Sequence, residues 1–124
     1  PMLKALMILA SGMFAWPAQA AELKCQGVII GQGYSGSVTY PLAPMAKDPT
    51  LLMAKKDQYS FVVDTIELKT KNSLRLFIHD IKGDYTAMSD GQFKAIGSSQ
   101  EVRLQQIIGY ETADPVTVSL SCYL

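Results

Sequence analysis

The sequence predicts an all-β domain, folded as a small antiparallel sandwich, with a small barrel as the alternative closure. Three observations carry that expectation. Apolar and polar residues alternate with period two in several short runs. Turn-forming stretches separate these runs at a spacing of about 8–12 residues, as in small sandwiches and barrels. The two cysteines, Cys25 and Cys122, stand near the two ends of the portion that carries the pattern.

In chain order, the first strands are expected at 23–30 and 36–40, joined through "GQGYSG". The prolines at 41, 44 and 49 mark the longest irregular connection. A short helix is expected near 50–56, where Asp48 would cap and Pro49 would take the first helical position. In "YSFVVDTIEL", Tyr59, Phe61 and Val63 share one face, while Ile66 and Leu68 have the opposite parity; a bulge near Asp64–Thr65 would account for the switch. "SLRLFIHDI" alternates Leu74, Leu76 and Ile78 against Arg75 and His79, but Phe77 falls on the polar side and implies cover on both faces. Strands at 85–89 and 92–96 would flank an Asp90-Gly91 hairpin. A further strand is expected at 101–108. The last, "PVTVSLSCY", sets Val116, Val118, Leu120 and Cys122 against Thr117, Ser119 and Ser121.

The N-terminus reads as a secretory signal over 1–20. Lys4 supplies a positive start, "ALMILASGMFAW" the apolar middle, and Ala18-Gln19-Ala20 the small-x-small end. Its apolar run is short of the roughly 20 residues a membrane span needs, and no other segment reaches that length. A single secreted or periplasmic domain over 21–124 is therefore expected. In that oxidising setting Cys25 and Cys122 would pair, which requires the first and last strands to be neighbours. A redox-active pair would more typically show C-x-x-C spacing. The only tryptophan, Trp16, lies in the signal, so the buried tryptophan of an immunoglobulin domain has no counterpart.

Charge gives no reason to expect nucleic acid or an anionic membrane as partner. The chain holds 11 basic and 11 acidic side chains, and loss of Lys4 leaves a net charge near −1. Gly31, Gly33 and Gly36 form G-x-G-x-x-G after an apolar run. A dinucleotide site would need a helix starting at that loop. Here "SVTYP" follows, and Val38, Thr39 and Tyr40 form strands while Pro41 stops a helix. The glycines are read as a hairpin loop, and no cofactor is expected.

His79 is the only histidine, and Asp80 beside it would point to the opposite strand face. No G-x-S-x-G or H-E-x-x-H occurs. Asp80, Asp84, Ser89 and Asp90 surround two expected turns and are the best calcium candidates, although their spacing fits no EF-hand. Asp at turns has an ordinary backbone-bonding role, so no metal site is assigned. Tyr34 in the glycine loop, Tyr40 and Tyr110 are candidate contact residues. The expected function is non-enzymatic: binding of another macromolecule, such as an extracellular hydrolase or an envelope or adhesive component. A ligand-binding barrel and a small hydrolase using His79 are the alternatives.

Overall fold

The computed structural model describes residues 23–34, 36–94, 100–108 and 114–124. The expected signal segment 1–20, Tyr110 and the last part of the expected strand 92–96 lie outside these residues. The described chain forms two antiparallel sheets. Strands β1 (Lys24–Gly31), β2 (Gly36–Pro41), β3 (Ala43–Pro44), β4 (Leu51–Lys56) and β5 (Tyr59–Asp64) precede a one-turn helix α1 (Leu68–Lys71). Strands β6 (Ser73–Asp80), β7 (Tyr85–Gln92), β8 (Glu101–Ile108) and β9 (Val116–Tyr123) complete the fold. One sheet has the order β2-β1-β9-β8 and the other β3-β4-β5-β6-β7. The chain crosses between sheets at Pro41–Ala43 and again after β7. This is a sandwich, and no closed barrel forms among the described residues.

The period-two pattern explains which faces meet. From one sheet Cys25, Ile29, Leu104, Val118, Leu120 and Cys122 point inward; from the other come Tyr59, Phe61, Val63, Leu74, Leu76, Ile78 and Ala87. Leu68 and Phe93 fill the sides of the same core. Cys25 and Cys122 are register partners on adjacent strands, and their sulfurs are bonded across the 97-residue separation. Both are buried, so the staple is part of the core and not a surface clasp.

Three local expectations are overturned. Residues 51–56 are strand β4, not a helix; they pair with β5 from Leu51↔Asp64 to Lys56↔Tyr59. Asp48 caps no helix: its carboxylate accepts the backbone N–H and hydroxyl of Thr50, a side-chain turn that leads into the strand. The single helical turn lies instead at Leu68–Lys71. It explains the parity change after Asp64 without a bulge, because the strand ends there and Leu68 reaches the core from the helix. Asp90-Gly91 is not a hairpin either. Both residues lie inside β7, opposite Arg75 and Leu74. Gly91 serves a close approach: a Cβ there would sit 2.7 Å from the Val102 side chain of β8.

The glycine loop behaves as expected. β1 and β2 pair from Gln26↔Pro41 to Gly31↔Gly36, and Gly36 has φ +99°, which favours glycine. The other two tight turns are linked by Asp80. It is buried and accepts hydrogen bonds from Gln58 Nε2 and from the backbone N–H groups of Lys82 and Gly83.

Candidate functional site

Among the described residues, those singled out in the sequence each have their own local partners. His79 Nδ1 lies 2.7 Å from Thr86 Oγ1, its cross-strand neighbour. Ser60 is the register partner on the other side. The calcium candidates separate. Asp80 spends its carboxylate on the turn, while Asp90 pairs with Arg75 at the opposite end of the β6–β7 hairpin, 2.9 Å from its Nε. Among the described residues no group of three or more potential ligands converges.

Tyr34 and Tyr40 are brought together, but as packing residues. Both are half-buried against the core. The Tyr34 hydroxyl donates to Asp57 Oδ2 at 2.8 Å, tying the glycine loop to the β4–β5 turn. Burial first, and then the hydrogen bond and charge of Asp57 and the nearby Tyr59 and Tyr40, push its pKa up to about 12. The fold thus favours the neutral phenol. That contribution is fully present below the unfolded-state value near pH ~10 and lost as pH rises through about 12. In an ultraviolet titration Tyr34→Phe should remove a late-ionising phenol, and Asp57→Asn should bring that phenol to lower pH. A titration curve unchanged in both variants would refute the assignment.

Two surfaces stand out among the described residues. The first is the outward face of the five-stranded sheet. Register places Met53, Val62, Phe77 and Met88 side by side across β4, β5, β6 and β7. None of the four belongs to the buried core or packs against it, and Met88 is 57% exposed. One flanking row carries Lys55, Ser60, His79 and Thr86; the other carries Leu51, Asp64, Arg75 and Asp90. An outward sheet face is normally polar. Here an apolar stripe runs across four strands, roughly 14 Å at the usual strand spacing, between two mostly polar rows.

The second is a groove of about 690 Å³ at the stapled end of the sandwich. It opens because the chain leaves β2 at Pro41 to join the other sheet, and α1 does not close the gap. One wall is the start of β1 and Tyr123 at the end of β9; the other is Leu52, Thr65 and α1; Pro41, Leu42, Pro44 and Pro49 form the rim between them. Ile66, 68% exposed, overhangs the opening. Lys24 and Lys69 stand at its margins, and among the described residues no acidic side chain lines it.

Sequence reasoning registered the anomaly of Phe77 but neither of these surfaces. No protein-family model, no curated protein and no solved structure matches the chain.

Proposed function

We propose that this chain is a non-enzymatic domain of the secreted or periplasmic space that binds another macromolecule, a protein of the envelope or an extracellular hydrolase. The outer face of the five-stranded sheet is its contact surface. The observation that carries this reading is the stripe Met53–Val62–Phe77–Met88. Burying it against a partner would recover apolar area that the domain leaves in water. Its composition is that of a protein interface: methionine and an aromatic at the centre, arginine and other polar side chains at the rim. Methionine also adapts to a partner's contour through its flexible thioether. A disulfide buried in the core supports an oxidising compartment, as does the signal-like N-terminus.

Site-specific photo-cross-linking in the native cell tests it. A photoreactive residue in place of Met88 should give a discrete heavier adduct, and Phe77→Lys should abolish that adduct while leaving the melting transition nearly unchanged. Phe77 points outward, so the change makes no core cavity, and ordinary surface substitutions stay within about 0.5 kcal/mol. Absence of any adduct at position 88, or an adduct indifferent to Phe77→Lys, would reject the stripe as the contact surface.

A further inference from the structure

We infer that the groove at the stapled end of the sandwich binds a single-chain amphiphile with an anionic head group, its acyl chain lying on the apolar floor and its head beside Lys24 and Lys69. This goes beyond the macromolecular contact proposed above, uses a different surface and stands without it.

Size and lining come first. At about 690 Å³ the groove lies in the range of small-ligand sites, roughly 300–1,000 Å³. Leu23, Leu42, Leu52, Ile66 and Leu68 give it a mostly apolar surface. Leaving such a surface wet is unfavourable, and each methylene laid on it is removed from water.

Hydrogen bonding then decides between an acyl chain and a peptide. An apolar peptide segment would carry an amide at every residue into the groove, and each buried amide needs a partner. The described walls have few backbone groups to give. β1 is bonded on both sides from Gln26 onward, and before that Lys24 and Cys25 pair with β9. The Leu42 N–H goes to Cys25 O, the Thr65 N–H to Thr50 O, and the Leu68 N–H to Thr65 O. The Thr65 hydroxyl is also bonded to Thr50 O. Pro41, Pro44 and Pro49 have no N–H at all. A hydrocarbon chain asks for none of these partners.

Charge fixes the sign of the head group. Among the described residues Lys24 and Lys69 are the only formal charges lining the groove. Among the described residues neither has an acidic partner, unlike Lys71, which pairs with Glu67 at 3.3 Å. A lysine stem can lie along apolar surface while its ammonium group remains in water, which suits a ligand whose head stays at the mouth. A carboxylate or a phosphate would be attracted; a neutral head would gain nothing from them, and a cationic head would be repelled.

A displacement titration on the exported protein tests this, with a dansyl-labelled undecanoic acid as the probe. Palmitate and lysophosphatidylglycerol are the anionic competitors, and the stronger of the two identifies a free fatty acid or a lysolipid as the natural source. Methyl palmitate and lysophosphatidylcholine should compete at least about tenfold more weakly, as expected for loss of two partly solvated charge contacts. Ile66→Asp, an exposed change that should spare the fold, and the Lys24→Glu/Lys69→Glu double variant should each weaken probe binding by about tenfold or more. Phe77→Lys, on the other surface, should leave it unchanged, so this result and the cross-linking result fail separately. No saturable probe binding, equal competition by methyl palmitate and palmitate, full affinity in both groove variants, or loss of affinity in Phe77→Lys would each overturn the inference.

Discussion

Cys25→Ser is expected to lower the unfolding free energy by about 4–5 kcal/mol, as the loop-entropy account gives for a closed loop of this size. The bond spans 97 residues, so opening it returns most of the described chain's freedom to the unfolded state. Small domains have a net stability of about 5–15 kcal/mol, so the loss is a large share of the whole. Its form follows from where the bond lies. A C-terminal strand ordinarily frays, and on sequence alone β9 invites that view. In the fold β9 is central, paired with β1 on one side and β8 on the other. Reduction should therefore shift the entire transition to lower denaturant or temperature and not release the last strand by itself. Cys122→Ser should behave alike, and the double variant should cost little more than either single one because both remove the same bond. Chemical denaturation of the exported protein with and without reductant reads the effect. A midpoint indifferent to reductant, or early exchange confined to residues 116–123, would contradict it.

How much of this was legible can be argued strand by strand. β6, β8 and β9 declare themselves because one face is apolar and in the core while the other is mostly polar, so period two survives in the sequence; on β9 that polar face, Ser119 and Ser121, is itself buried. The cysteine pairing was legible from two cysteines in a chain expected to reach an oxidising compartment, and its burial from Cys122 sharing parity with Leu120 and Val118. β4 was not. "LLMAKK" consists of good helix formers, and pairing with β5, whose inner face is buried, and with β3 overrides that preference. Asp90-Gly91 misled because a glycine needed for space resembles a glycine needed for a turn; the Val102 side chain that requires it is contributed by another strand. The candidate surfaces were the least legible. Phe77 on the wrong parity was a true signal of an unusual outer face. Its neighbours Met53, Val62 and Met88 are distant in sequence, and only the register collects them. The groove exists because of a sheet crossing at Pro41–Ala43 and the misread segment after it, so no local pattern announces it.

The interior offers a second large effect. Gly27→Val is expected to destabilise the domain by about 3 kcal/mol, near the upper end of the overpacking range. Two terms oppose each other. Replacing glycine in a strand lowers the entropy of the unfolded chain, a gain of roughly 0.4–1 kcal/mol where the backbone permits it. Against that, a Cβ at position 27 would lie 2.6 Å from Phe61 Cδ2 and 2.7 Å from Cε2 and Cγ. The clash includes the root of the ring, so turning the ring about its own axis does not relieve it. Nor has the ring anywhere to retreat: Phe61 is fully buried, between Ala54 and Ile78 in its own sheet and facing β1. The steric term wins, and its two extra methyl groups make Val worse than Ala. The contact itself is isolated by a cycle. Phe61→Ala removes every ring atom that clashes, Cγ included, at a cost of about 3–5 kcal/mol for the cavity it leaves. Gly27→Val/Phe61→Ala should then be more stable than the two single changes added together, by about 1 kcal/mol or more, as expected of residues in contact. Thermal or denaturant unfolding of the four proteins supplies the numbers. Strict additivity would mean that β1 does not pack on Phe61, and the facing of the two sheets described here would be wrong.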